Sequence, residues 1–217
     1  MQDYLNYKTV KKIFKPTPCA EGVGAKVKRI IGAEGLDMKQ MDPFLMLDYF
    51  DVRLPSGFPD HPHRGFETVT YMLQGTIYHE DFRGHKGMIG PGGIQWMTAG
   101  KGIMHAEIPG SETESSIGFQ LWINLRKHEK LEEPGYQEYE ADQIPKVDKW
   151  EDQGVIAKVI AGEAFDCKGP IYCRTPSEYI DFTIKKDSIY KHTVPQKWNF
   201  LIFCYAGSFE IMQEDGK

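Results

Sequence analysis

Glycine and proline interrupt this chain too often to leave room for long helices. The 217 residues contain 22 Gly and 13 Pro, which separate short runs rich in β-branched and aromatic side chains. Gly costs backbone entropy inside an element, and Pro removes a backbone donor. Short strands between such breaks are the pattern of an all-β sandwich or barrel. Ser116 to Asn124 carries it most clearly, because Ile117, Phe119, Leu121 and Ile123 fall on one face at period two. Residues 8–14 and 25–31 read as edge-like strands with Lys and Arg toward water. Pro43 to Leu47 reads as a strand buried on both faces.

Two pairs of potential metal ligands punctuate the stretch from Asp60 to Glu107. His61 and His63 form the first, His105 and Glu107 the second, each spaced i, i+2. Side chains at that spacing share one face of a strand, so each pair aims two ligands at one point. Two such strands facing each other would supply three imidazoles and one carboxylate. That set suits Fe(II), Mn(II), Ni(II), Cu(II) or Zn(II) better than Ca or Mg. Read as one continuous strand, the odd positions from His61 to Leu73 also place Glu67, Val69 and Tyr71 on the histidine face. That is the expected lining of a ligand-holding barrel. Glu67 lies ~13 Å along the strand from His63 at the usual rise, which makes Glu107 the more natural ligand and Glu67 a wall or supporting residue. His79 and His85 read as solvated loop residues, and His128 as surface. Trp96, Tyr71 and Phe119 read as core or pocket lining.

The formal net charge of −5 provides no basic footprint for direct nucleic-acid binding. No apolar run approaches the ~20 residues of a membrane-spanning helix, and the N-terminal stretch lacks a signal-peptide core. Cys19, Cys167, Cys173 and Cys204 form neither a CxxC motif nor a dense framework. Reduced thiols in a cytoplasmic or nuclear protein are the expectation. The pattern predicts a β unit over 1–125, a charged linker over 126–150 and a second, shorter β unit over 151–217. Strands are expected in the last at Val155–Ile160, Glu178–Ile184, Trp198–Tyr205 and Ser208–Met212.

The run FPDHPHRGFETVTYMLQG, then HEDFRGHKG, then IQWMTAGKGIMHAEIP resembles the signature of the pirin family. Looser similarity extends from Asp42-Pro43-Phe44-Leu45 to Phe119-Gln120-Leu121-Trp122, and over Thr175-Pro176 to Trp198. The resemblance implies a bicupin: two jelly-roll-like cupin barrels in tandem, with one mononuclear iron site in the first. It implies His61, His63, His105 and Glu107 as the ligands of Fe(II). It further implies quercetin 2,3-dioxygenase activity on a flavonol, or an iron- and redox-sensing co-regulator role that binds nuclear transcription regulators. Two departures accompany it. Trp96 in Pro91-Gly92-Gly93-Ile94-Gln95-Trp96 stands where many cupins carry a histidine, and His105 supplies that ligand instead. The second barrel is short here, whereas pirins usually run further, so a truncated form or completion by a partner is expected. On the dioxygenase reading, Glu107 would serve as catalytic base, and Val69, Tyr71, Leu73, Phe119 and Leu121 would hold the flat substrate.

Overall fold

A computed structural model describes residues 8–32 and 38–212. The stretch 1–7, read above for the absence of a signal-peptide core, lies outside them. The first eleven strands are β1 (Thr17–Glu21), β2 (Ala25–Ile31), β3 (Phe44–Val52), β4 (Phe58–His63), β5 (Phe66–Gln74) and β6 (Ile77–Asp81), followed by β7 (Lys86–Ile89), β8 (Ile94–Thr98), β9 (Ile103–Pro109), β10 (Ser116–Asn124) and β11 (Gly135–Tyr139). They form a seven-stranded sheet, ordered β1-β2-β3-β10-β5-β8-β11, and a four-stranded sheet, ordered β4-β9-β6-β7. The inner faces pack on each other. Ala25, Val27, Phe50, Val52 and Met72 of the larger sheet meet Ile77 and Ile89 of the smaller. Burial follows the period of two on β2, where Ala25 and Val27 point inward and Lys26 and Lys28 outward. Residues 8–14 form no strand.

The expected linker carries strands. β11 closes the edge of the seven-stranded sheet, pairing with β8 from Gly135↔Thr98 to Tyr139↔Ile94. Its residues are half-buried or exposed, and the adjacent Gln137 and Glu138 break any apolar alternation. Residues 146–149 form β12 (Lys146–Lys149), and a single turn, α1 (Trp150–Gln153), leads into β13 (Val155–Ala161). After the short hairpin of β14 (Glu163–Ala164) and β15 (Cys167–Lys168) comes β16 (Tyr179–Ile184). β12, β13 and β16 make a three-stranded antiparallel sheet with β13 at its centre.

The strands expected at Trp198–Tyr205 and Ser208–Met212 do not form among the described residues. Phe200, Ile202, Tyr205, Phe209 and Ile211 are instead substantially exposed. Alternation alone makes no strand when no neighbour pairs with its backbone. Leu201 and Phe203 still pack inward, the Phe203 ring 5.1 Å from that of Phe119.

The two units share one core. Val69, Tyr71, Phe119, Leu121 and Ile123 of the large sheet pack against Ile144, Ile160, Ala161 and Ile171. Across that interface the Tyr71 hydroxyl donates to Asp181 Oδ2 at 2.7 Å. The apolar face expected to hold substrate is therefore the seat of the second unit. It is not a pocket.

Candidate metal centre

The reason for that reversal lies at Gly65. This residue adopts φ +78° between β4 and β5, a conformation that favours glycine. The chain leaves the small sheet there and enters the large one, so the odd register is not continuous from His63 to Glu67. Glu67 shares a face with Val69 and Tyr71, buried, with Oε1 accepting from the Thr98 hydroxyl at 2.7 Å. Burial pushes its carboxyl up, partly offset by Thr98. It supports the wall from behind and stands apart from the histidines. The Gly65 N–H donates to the Gly100 carbonyl at 2.8 Å, and a Cβ on Gly100 would collide with the Glu132 carbonyl oxygen at 2.0 Å. These two tight turns bring the end of β4 beside the start of β9.

The consequence is convergence. His61 pairs directly with His105 across β4 and β9. Ligand atoms of His61, His63 and His105 all lie within 4.8 Å of one another, with ring centroids 4.6–5.0 Å apart. His105 is fully buried and neither ring nitrogen has a hydrogen-bond partner. Buried polar atoms are rarely left orphaned, because each costs free energy. A cation bound by that imidazole would give one of its two nitrogens a partner. His61 Nδ1 lies 2.8 Å from the Pro59 carbonyl oxygen; donating there leaves Nε2 as the available lone pair. His61 is only half-buried, so the cluster opens toward solvent on its side.

Glu107 lies two residues beyond His105 on the same buried face, yet its carboxylate stands outside the group of mutually close donors. It is held from the facing sheet. Thr70 Oγ1 donates to Oε1 at 2.8 Å, and Gln120 Nε2 donates to Oε2 at 3.1 Å. Thr70 and Gln120 are opposite one another on β5 and β10, and Gln120 also donates to the Thr70 hydroxyl. Sequence reasoning missed both. The one signal was Gln120, a polar residue in the otherwise apolar middle of its strand. Phe66 and Trp122 complete the wall, their rings 4.8 Å apart and each 5.2 Å from His63.

Desolvation, reinforced by His105 and His61, pushes the His63 pKa down to about 3, and burial lowers that of His105 as well. Both imidazoles are therefore neutral at pH 7 with lone pairs ready for a metal. In the unfolded chain each titrates near ~6.5, so the unfolded state takes up protons that the native state refuses. Stability of the metal-free protein should fall as pH drops from 6.5 toward 3. Urea midpoints in chelator between pH 7 and 5 check this; His63→Gln should flatten the slope.

The pirin family model matches residues 24–123. Pirin-like protein 2 of Arabidopsis thaliana is 51% identical over 198 residues, which are 91% of this chain and 59% of that protein. Pirin of Homo sapiens is 48% identical over 199 residues, 91% of this chain and 67% of its own length. This chain belongs to the pirin family. It spans roughly three-fifths to two-thirds of the length of these pirin relatives. A solved structure of quercetin 2,3-dioxygenase from Acinetobacter baumannii superposes with a TM-score of 0.68 at 35% identity, covering 77% of this chain and 61% of that one. The fold is the all-β cupin fold of the pirins. Among the described residues no helix is long and apolar enough to cross a membrane.

Proposed function

We propose that this pirin-family protein binds one Fe(II) through His61, His63, His105 and Glu107 and cleaves flavonols with dioxygen, in the manner of a quercetin 2,3-dioxygenase. The observation that carries it is the buried, hydrogen-bond-free His105 imidazole facing two further histidines. Three imidazoles and a carboxylate suit a first-row divalent ion and leave about two positions of an octahedral shell open. A likeness to a structure named quercetin 2,3-dioxygenase supports a flavonol as the substrate, and the choice of iron follows the pirin resemblance.

Bound iron would supply Lewis acidity toward the flavonol 3-hydroxyl and electron transfer between substrate and dioxygen. The protein's own residues do the rest. Phe66 and Trp122 offer flat faces beside His63 for an aromatic ring system. Glu107, when its carboxylate is released from the metal, takes the 3-hydroxyl proton, and Thr70 and Gln120 keep that carboxylate aimed. Buried Met72 and Ile77 keep the far end of the barrel dry. The opening at His61 favours an enzyme over the alternative, a closed redox sensor that docks on a transcription regulator.

Glu107→Gln tests the base assignment. Flavonol-dependent oxygen uptake should fall by about 10²-fold or more, whereas full activity would remove Glu107 from that role. Thr70→Val should weaken metal affinity by about 10–100-fold, the usual cost of losing a residue that orients a ligand. Competition with a chromophoric chelator measures it.

A further inference from the structure

Beside the first site, where His79 of β6 pairs with Glu107 of β9, lies a second group of donors. His79 on β6, His85 in the turn before β7 and Glu138 on β11 bring their ligand atoms within 4.8 Å of one another. The segment 79–85, expected to be an exposed loop, is half strand, and His79 is buried. Its Nε2 lies 2.7 Å from Glu138 Oε1, an ion-pair contact. Its Nδ1 is buried with no hydrogen-bond partner, and Nε2 makes no well-directed hydrogen bond. A cation bound by this imidazole would give the buried ring a directed partner.

The surroundings are built to hold these three side chains. Gln95 Nε2 donates to Glu138 Oε1 at 2.7 Å, and His85 Nε2 lies 3.1 Å from Oε2. Asp81 Oδ1 accepts from the backbone N–H groups of Arg83 and His85, curling the turn that delivers His85. The Tyr136 ring stacks on His85 at 4.1 Å and on His79 at 5.8 Å, and its hydroxyl donates to Asp81 Oδ2. Gly87 pairs with His79 on β7, and a Cβ there would come within 2.2 Å of His79 Nε2. Only glycine leaves the imidazole its space. His85 and Glu138 are partly exposed, so a cation has a route in from solvent.

We propose that His79, His85 and Glu138 form a second divalent-cation site, with zinc as its natural occupant. Two imidazoles and a carboxylate, with water in the fourth position, are an established zinc donor set, at metal–nitrogen distances of about 2.0–2.1 Å. The ion would clip the small sheet, through β6 and the β6–β7 turn, to the edge strand β11 of the large sheet. Such a clip binds the native state alone and so stabilises it by mass action. None of its ligands belongs to the first site, and the proposal stands independently of the iron reading.

Zn(II) titration of the chelator-stripped 217-residue protein, followed by calorimetry and elemental analysis, tests it. Two equivalents are expected for the wild type and one for His85→Ala or Glu138→Gln, both substitutions at partly exposed positions. One is also expected for His61→Ala/His105→Ala, and none once His85→Ala is added to that pair. The zinc-dependent rise in melting temperature of His61→Ala/His105→Ala should vanish with His85→Ala. Zinc uptake and melting temperature indifferent to both His85→Ala and Glu138→Gln would overturn the proposal. Indifference to His61→Ala/His105→Ala alone would count against the first site and leave this one standing.

Discussion

His105→Ala should strip the first site of its metal and take flavonol-dependent oxygen uptake with it. The substitution removes one of three clustered imidazoles, the one whose two ring nitrogens are both fully buried without a hydrogen bond. Two histidines and a carboxylate already committed to Thr70 and Gln120 remain. Iron content of anaerobically reconstituted protein should drop to the level of a His61→Ala sample. The fold should survive. Loss of a buried side chain leaves a cavity, which costs stability, but it also removes two buried nitrogens without hydrogen bonds, which offsets part of the cost. Melting temperatures in chelator should therefore differ by only a few degrees on the usual scale for ~1 kcal/mol. His128→Ala, at an exposed position, should change neither quantity.

Arg29→Met should be the most destabilising single change outside the metal centre. Arg29 and Asp48 face each other across β2 and β3 and form a two-pronged pair, Nε to Oδ1 at 2.9 Å and Nη2 to Oδ2 at 2.7 Å. Glu21 adds a second carboxylate on the outer side of the guanidinium. Asp48 is only 2% exposed, so removing Arg29 strands a carboxylate in the wall of the barrel. Breaking a buried pair in this way costs about 3–5 kcal/mol. Burial already pushes the Asp48 carboxyl up, against the pull of Arg29; without Arg29 it rises further. A native carboxyl above its unfolded value binds its proton more tightly when folded, so stability declines as pH rises through that range. The deficit of Arg29→Met should accordingly narrow in acid, and Arg29→Met/Asp48→Asn should recover much of the loss. Denaturant unfolding at pH 7 and pH 4.5 checks both statements. An Arg29→Met deficit independent of pH, with no recovery in the double variant, would mean the cost comes from lost packing of the Arg29 stem.

The histidine cluster was legible because it needs only local information. Two i, i+2 pairs on strands aim their side chains together wherever those strands pair, and β4 and β9 do pair. The all-β class was legible from strand punctuation, and the cupin architecture from the pirin resemblance. What failed was parity across a turn. Gly65 resets the face on which odd residues lie, so Val69, Tyr71, Phe119 and Leu121 became an interface between units, and Thr70 and Gln120 became the residues that orient Glu107. A one-residue change of register exchanges every inward side chain for an outward one, and no periodicity within either strand reveals it. His79 and β11 were missed for a related reason. Both belong to short elements rich in charge, whose burial depends on a sheet edge formed by residues some 40 to 60 positions apart. The C-terminal alternation from Trp198 onward misled in the opposite sense, since it describes a face and says nothing of a pairing neighbour.

Oxygen uptake with quercetin, by protein reconstituted anaerobically with Fe(II) and with bound iron quantified in the same sample, tests the central claim most directly. The account predicts uptake that requires quercetin, scales with the iron bound, and disappears together with that iron in His105→Ala. Iron retained by the wild type but lost in His105→Ala, with no uptake in the presence of quercetin, would contradict the dioxygenase function while leaving the metal site in place. Iron bound equally by the wild type and His105→Ala would contradict the site itself.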